Sequence, residues 1–294
     1  MIVIKLFGGL GNQMFCYAAG RALAARHDVP LKLDLTHYRE QDYRKFELGA
    51  WNICAEAATE EELRAFQGKD FRLLKNRIIN KMAFWRSYGE RPWYCQRGFG
   101  YDAEFRKIGP EAYVEGHFQS EKYFEEAGDI LRREFTLRAP LDGANAAMER
   151  EILAREGAVA IHVRRTDYVT DEDFRKTAQA CPPGYYEAAM ARAASQVRGA
   201  HFFVFSDEPE WCKANLRPPA GCTYVDINPC SQPALDIHLM RQCRHHIISN
   251  SSFSWWGAWL ADTRPGHVVI APEKWFVAKG MDDKDLVPER WTKI

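Results

Sequence analysis

The sequence has no excess of charge and no long apolar run. Its 294 residues include 40 basic and 40 acidic side chains. Because nucleic-acid-binding domains normally carry a basic surface, this balance argues against nucleic acid as a partner. No apolar run approaches the length of a membrane-spanning helix. The short segment Met1–Phe7 leads straight into a glycine loop, so we interpret it as a first strand rather than a signal-peptide core.

The cysteines also lack the spacings of metal and redox motifs. None of the eight belongs to a CxxC or zinc-finger pattern. The segment Cys243–His246 offers one cysteine and two adjacent histidines, which is not the ligand spacing of a zinc site. Scattered thiols in apolar neighbourhoods are typical of reduced, structural cysteines. We therefore expect a cytoplasmic protein.

What is present is an apolar, aromatic-rich globular sequence that begins with a strand–helix–strand unit. Apolar residues make up 46% of the chain and aromatic residues 13%, enough to bury a core in one large or two ordinary domains. We predict strands over residues 2–7 and 31–35 and a helix over 14–27. Further along, Ser120 is predicted to cap a helix that continues to about Phe135. The loop Gly8–Gln13 lacks the third glycine of GxGxxG and the Lys-Ser/Thr of a P-loop. It therefore either lines a ligand cleft or only forms a tight turn.

The C-terminal half alternates strands with helices, which is typical of a doubly wound parallel sheet. The turn-rich segment 138–143 precedes this half, so we expect domains at 1–150 and 151–294. The predicted strands cover 158–163, 201–206, 223–227, 246–249 and 267–271. The predicted helices cover 185–196, 210–216, 234–243 and 253–261.

Polar residues follow three of these strands, and they are His162, Arg164 and Arg165, then Ser206 and Asp207, then Asn250, Ser251 and Ser252. In open α/β sheets, ligands bind beyond the carboxyl ends of the strands. A helix capped by one of the last three residues offers free backbone N–H groups to an anion. Arg164 and Arg165 opposite such a helix would form a diphosphate clamp. Alternatively, Arg164 and Arg165 are a surface pair bridged by Asp167. Asp207 could bind a ribose or a base edge, or it could only cap the helix that begins at Pro209.

The segment between residues 59 and 91 gives a weaker functional signal. Thr59 and Glu62 have the spacing of a capping box. Apolar residues then recur at helical spacing from Phe71 to Trp85, among mostly basic residues in the stretch 69–91. This pattern favours a core-facing helix with a solvated basic face. The alternative is a peripheral contact with an anionic membrane, at the inner face, or with a lipid-linked acceptor.

Four motifs in order resemble the bacterial α-1,2-fucosyltransferases: Gly8–Phe15, Gly116–Phe124, His162–Tyr168 and Ser249–Gly257. The resemblance implies a GT-B-type α/β fold, with two Rossmann-like doubly wound domains facing a cleft. It also implies GDP-fucose as the donor, inversion at the anomeric carbon and no metal requirement. The C-terminal domain would bind the nucleotide, and the N-terminal domain would hold most of the acceptor site. Asn12 would reach the donor from the N-terminal side.

The reaction needs a group that accepts the proton of the attacking hydroxyl, and Asp167 and Glu172 could supply it. Comparison with the similar α-1,6-fucosyltransferases places their proposed base at Glu172. The arginines and the helix start would offset the charge of the leaving diphosphate without a metal. We interpret the formal Asp-x-Asp motif at 171–173 as an acidic loop or helix start. Trp255 and Trp256 fit a core better than a sugar-stacking surface.

The sequence therefore predicts an inverting galactoside α-1,2-fucosyltransferase that transfers L-fucose from GDP-fucose to the 2-hydroxyl of a terminal galactose on a glycan. One alternative is a metal-free transferase that uses another nucleotide sugar. The other is a non-catalytic protein of the same fold that binds a nucleotide sugar or a glycan.

Overall fold

The computed structural model describes residues 1–40, 43–70 and 87–294, and these form two compact units. The first unit comprises residues 1–136 together with 284–286, and the second comprises 137–283 together with 287–294. The chain passes from one unit to the other between Thr136 and Leu137. The helix Gly143–Leu153 therefore belongs to the second unit, whereas a division at residue 150 would cut it.

The described part of the first unit contains a five-stranded parallel sheet in the order β3-β2-β1-β5-β4. Parallel strands need crossover connections, and the long helix Leu10–His27 makes the first of them. Its residue Gly20 lies so close to the sheet that an added Cβ would be 2.9 Å from Ile4 Cβ. The strands are β1 (Ile2–Lys5), β2 (Leu31–Asp34), β3 (Glu56–Ala57), β4 (Trp93–Cys95) and β5 (Ala112–Glu115). The other helices are Thr36–Arg39, Glu60–Gln67 and Gly128–Glu134, with 3-10 turns at Leu48–Ala50, Ala103–Lys107, Glu121–Tyr123 and Glu125–Ala127.

The described part of the second unit contains a six-stranded parallel sheet in the order β11-β10-β9-β6-β7-β8. When the sheet is read from β8 to β11 and the strands are renumbered with β6 as strand 1, the order is 3-2-1-4-5-6, which is that of a Rossmann fold. Its strands are β6 (Ala158–Val163), β7 (His201–Ser206), β8 (Gly221–Val225), β9 (His245–Ile247), β10 (Val269–Ala271) and β11 (Thr292–Lys293). Its helices are Gly143–Leu153, Thr166–Thr170, Glu172–Arg175, Pro183–Gln196, Pro209–Asn215, Pro233–Gln242 and Ser252–Ala261.

The two parallel α/β units confirm the predicted fold class. Strand β6 is buried at every position, as the continuous apolar run predicts for a central parallel strand. Trp255 and Trp256 are fully buried, which confirms that they belong to the core. Thr59 and Glu62 form the predicted capping box.

Two predicted helix boundaries in the first unit were wrong. The first helix begins at Leu10 instead of Met14, because Gly9 takes an extended conformation and serves as its N-cap. Ser120 caps a short 3-10 turn rather than a helix that continues to Phe135. Within the same stretch, the α-helical part covers only Gly128–Glu134.

Two further expectations concern membrane contact and the cysteines. Residues 71–86, which carry most of the basic stretch 69–91, lie outside the described residues, so membrane contact there stays a prediction. Among the described residues, no helix combines the length and apolar character that crossing a membrane requires. All eight cysteines are free thiols.

Candidate functional site

The sheet order of the second unit brings the three predicted polar segments to one edge. Strand β6 lies between β9 and β7, so the residues that follow these strands are neighbours. The strand order reverses between β6 and β9. In Rossmann folds this reversal opens a crevice at the carboxyl ends of the strands, where ligands bind. We therefore take this edge as the candidate site.

His162 joins the two strands at the reversal point. Its Nδ1 lies 3.2 Å from Oγ of Ser249, which follows β9. Ser249 in turn lies 3.3 Å from the hydroxyl of Ser254, in the first turn of the helix Ser252–Ala261. Burial lowers the pKa of His162 to about 4, so its ring is neutral at pH 7. His162 thus fixes the helix start relative to β6 without adding charge.

Arg164 lies between two carboxylates. Its Nη2 is 2.8 Å from Oδ1 of Asp167, and its Nη1 is 3.2 Å from Oδ2 of Asp207. Burial acts to lower the pKa of Arg164, but these two partners outweigh it and raise the pKa. The guanidinium therefore stays charged, with 28% of the side chain exposed.

Arg165 points to a different set of partners. Its Nε donates to Oε2 of Glu208 at 3.0 Å, and its guanidinium lies 3.9 Å from the ring centre of Trp211. This is a cation–π contact at close range. The side chain is 17% exposed, so Arg165 is held more tightly and is more covered than Arg164. The adjacent arginines therefore leave the strand in different directions.

Asp207 organises the loop between them. Its carboxylate accepts hydrogen bonds from the backbone N–H of Arg165 and of Thr166, each at 3.0 Å. It thereby satisfies backbone donors at the start of the short helix Thr166–Thr170. With Arg164 also bound, Asp207 is a charge partner and an acceptor for the arginine loop. It does not cap the helix Pro209–Asn215, whose N-cap residue is Glu208.

Of the three polar residues after β9, the first is structural. The Asn250 amide donates to the carbonyls of Gln179 and Trp275 at 3.0 and 3.1 Å, and its Oδ1 accepts from the thiol of Cys181. Ser251 is the N-cap of the last helix, and its Oγ accepts from the N–H of Phe253. That confirms the predicted cap. The half-buried Ser252 is the first helical residue, beside the backbone N–H groups that an anion would meet.

The two base candidates lie in different surroundings. Asp167 contacts Arg164 and is 24% exposed. Glu172 begins the short helix Glu172–Arg175, its side chain is 86% exposed, and it lies 3.8 Å from Arg175. Asp171 caps that helix, so the acidic tripeptide is a helix start, as predicted. Among the described residues, no group of three or more His, Cys, Asp or Glu could hold a metal ion.

Asn12 lies in the first unit, in the first turn of the helix Leu10–His27. Its Oδ1 accepts a hydrogen bond from the side chain of Gln119 at 2.8 Å. Gly8 has φ +70°, and a Cβ there would lie 2.7 Å from Nδ2 of Asn12. Only glycine therefore fits between the strand and this side chain. Contact between Asn12 and the donor stays a prediction.

Sequence reasoning missed several residues that build this site, namely Tyr168, Glu208, Trp211 and Ser249. Tyr168 donates to the backbone carbonyl of Asn250 at 2.7 Å, which ties the arginine loop to the last helix. Glu208 and Trp211 follow β7, one strand away from the arginines. The strand-end rule that selected Asp207 could have selected Glu208 as well. No local signal identified Trp211, because its contact depends on the packing of helix Pro209–Asn215.

The comparisons with known proteins agree with this geometry. The model of glycosyl transferase family 11 matches residues 1–294. An α-1,2-colitosyltransferase from Escherichia coli is 31% identical over 302 residues, covering 100% of this chain and 99% of that protein. Galactoside α-(1,2)-fucosyltransferase 1 of Saimiri boliviensis boliviensis is 30% identical over 166 residues, covering 54% of this chain and 45% of that protein.

Among solved structures, the fucosyltransferase NodZ from Bradyrhizobium is 12% identical, with a TM-score of 0.49. The match covers 87% of this chain and 91% of NodZ. The family match spans the whole sequence and includes all four motifs that carried the resemblance. The chain therefore belongs to glycosyltransferase family 11 and is a glycosyltransferase.

Proposed function

We propose that this protein is an inverting galactoside α-1,2-fucosyltransferase, which transfers L-fucose from GDP-fucose to the 2-hydroxyl of a terminal galactose. The observation that carries the proposal is that Arg164 and the start of helix Ser252–Ala261 follow the neighbouring strands β6 and β9, at the Rossmann reversal point of the second unit. This arrangement suits a diphosphate. The second unit would bind GDP-fucose, and the first would hold most of the acceptor site.

Arg164 and the helix start would stabilise the leaving group. As the bond between fucose C1 and the diphosphate oxygen breaks, negative charge grows on the GDP. Arg164 is charged and the more exposed of the two arginines, so it is placed to meet that charge. Arg165, bound by Glu208 and Trp211, would hold the loop in position. From the sequence alone we expect both arginines to be essential and Arg165 to be the stronger candidate for the phosphate contact. This geometry instead favours Arg164 for that contact.

A carboxylate would take the proton of the acceptor hydroxyl as its oxygen bonds to fucose C1 from the opposite face. Asp167 belongs to the charged cluster around Arg164, whereas the Glu172 side chain is almost fully solvated. A base must lie within hydrogen-bond reach of the attacking hydroxyl. The geometry therefore supports Asp167 over Glu172 for this role.

A second function differs only in the sugar transferred. One relative that aligns over the whole chain is an α-1,2-colitosyltransferase, and colitose is fucose without its 3-hydroxyl. GDP-colitose would present the same diphosphate to Arg164 and the same anomeric carbon to the acceptor. Only contacts to the 3-hydroxyl of the sugar distinguish the two donors. The arginines would meet the diphosphate that both donors share, so they do not discriminate between them.

The test is a transfer assay with purified protein, lactose or N-acetyllactosamine as acceptor, and GDP-fucose and GDP-colitose in parallel. We expect a fucosylated product whose linkage, read by NMR, is α-1,2 to galactose. Higher kcat/KM with GDP-colitose would establish the second function. GDP binding without turnover of any nucleotide sugar would indicate a non-catalytic binding protein.

A further inference from the structure

Four aromatic side chains form a row along the carboxyl edge of the first sheet. His37 follows β2, Phe7 follows β1, His117 follows β5 and Phe99 follows β4. These strands are neighbours in that same order, so the rings lie side by side. The Phe7 ring centre is 4.6 Å from that of His117 and 6.3 Å from that of His37, edge to face. Phe99 stacks on His117 at 4.7 Å. We call these four residues the ring row.

The ring row occupies the place where a ligand is expected in such a sheet. The strand order of the first unit reverses between β1 and β5, because later strands are added on the other side of β1. Phe7 and His117 follow these two strands and contact each other across the reversal point. Ligands of open α/β sheets bind at this position. All four rings are half-buried, so part of each remains at the surface.

Two imidazole nitrogens in the ring row lack hydrogen-bond partners among the described residues. They are Nε2 of His37 and Nδ1 of His117, and both atoms are buried. A buried polar atom without a partner is costly, and native proteins hold few of them. Rotation of an imidazole about its last torsion moves its nitrogens to the positions of its carbons, so either atom could turn toward a ligand. The two nitrogens therefore point to a missing polar partner.

The chemistry of the row defines that partner. Burial lowers the pKa of His117 to about 4, so its ring is neutral at pH 7 and offers one donor and one acceptor. Phe7 and Phe99 add flat apolar surface beside it. A neutral imidazole between two phenyl rings is a poor ligand for phosphate. These rings match a pyranose, which has a C–H face and several hydroxyl groups.

We propose that the ring row binds the terminal sugar of the acceptor, with the C–H face of the sugar against the rings and its hydroxyl groups on His37 and His117. This inference rests on the proposed function, since it assigns the acceptor subsite of that reaction. It makes the two histidines acceptor-binding and specificity residues. It gives them no part in holding GDP.

Variants that keep the ring but remove the nitrogens test this assignment. We expect His37→Phe and His117→Phe each to raise the acceptor KM about tenfold, the effect of losing a hydrogen bond and leaving its partner unpaired. The KM for GDP-fucose, and the slow hydrolysis of GDP-fucose without acceptor, should stay within about twofold. His27→Phe is the matched control. His27 ends the first helix at the opposite edge of the sheet, where its Nε2 lies 2.7 Å from the carbonyl of Ile108.

A binding measurement on the wild-type protein tests the proposal independently of whether the variants fold and of catalytic turnover. Ring resonances of isotope-labelled histidine are recorded while methyl β-galactoside is added to the GDP-bound protein. We expect the His37 and His117 resonances to shift and that of His27 to stay. The proposal is overturned if the sugar moves neither resonance, or if both phenylalanine variants keep the wild-type acceptor KM. If the sugar shifts these resonances but no galactoside is fucosylated, only the proposed reaction fails.

Discussion

Lysine substitutions at the two arginines should have separate effects. Lysine keeps the charge but loses the planar fork that binds two partners at once. Arg165 uses that plane against Trp211 at 3.9 Å while its Nε donates to Glu208. Arg164 spans Asp167 and Asp207 with different nitrogens of its guanidinium. The same chemical change therefore removes the contacts that brace Arg165 and, at Arg164, the proposed contact with the diphosphate.

The stability cost at Arg165 follows from its contacts. A partly desolvated cation–π contact contributes about 1–2 kcal/mol, and a hydrogen bond about 1 kcal/mol. Lysine would keep part of the first and lose the second, so we expect a loss of about 1–2 kcal/mol. In a domain of 150–250 residues, each kcal/mol lowers Tm by about 2–4 °C. Arg165→Lys should therefore melt roughly 2–8 °C below the wild type.

Arg164→Lys should act on the reaction instead. We expect kcat to fall by about 10²–10³-fold, as for loss of one donor to a charge that develops in the transition state. GDP affinity should fall much less, because the interaction strengthens as the diphosphate leaves. The melting temperature should change by less than at Arg165, since Arg164 is the more exposed of the two.

Initial rates, calorimetry with GDP and melting curves on the two variants decide the matter, with Arg175→Lys as control. Arg175 is a half-exposed arginine whose Nη2 lies 3.8 Å from Glu172. A large loss of kcat in Arg165→Lys without any loss of Tm would reverse the two roles. Full activity in both variants would remove the arginines from the mechanism.

Three further outcomes are expected. Asp167→Asn should lower kcat by about 10²-fold while Glu172→Gln stays within about twofold in steady-state assays, and the opposite result would make Glu172 the base. Activity should survive excess EDTA within about twofold, whereas its abolition with rescue by Mn²⁺ would show a metal requirement. Burial acts to raise the pKa of Asp262, but the hydrogen bonds of its carboxylate with His267 and Trp291 outweigh burial and hold the pKa well below 3.8. The resulting stability is present above about pH 4 and is lost as pH falls, so the Tm deficit of Asp262→Asn, about 5–10 °C at pH 7, should shrink in acid.

The strands of the second sheet were the most predictable part of the fold. Residues 158–163 and 201–206 form strands at the predicted bounds, because six consecutive, largely apolar residues suit a strand buried on both faces. The start of the first helix was harder to predict. Glycines in the loop 8–13 suggested a longer turn, but Gly11 continues a helix that is buried along most of its length. Tertiary packing outweighs the low helix propensity of glycine there.

The location of the candidate site was also predictable, but its internal contacts were not. The strand-end rule selected Arg164, Arg165 and Asp207 from sequence alone. The partners of Arg165 lie 43 and 46 residues further along the chain, and only the pairing of β6 with β7 brings them close. The ring row shows the same limit. Its members are scattered over the first 117 residues, and strand order alone makes them neighbours.

The contacts of Arg164 also explain how it could favour the transition state over the substrate. If the diphosphate displaced the Asp207 carboxylate, two backbone N–H groups would lose their acceptor. If it displaced Asp167 instead, those hydrogen bonds would stay in place. A bound diphosphate would therefore take over the contact that Asp167 makes with Arg164, which would release the Asp167 carboxylate to act on the acceptor hydroxyl. While the bond between fucose and the diphosphate is intact, Arg164 gains little interaction free energy by exchanging a carboxylate for a phosphate of similar charge. The gain grows as the departing diphosphate acquires negative charge, and an interaction that strengthens only then raises kcat rather than merely lowering KM.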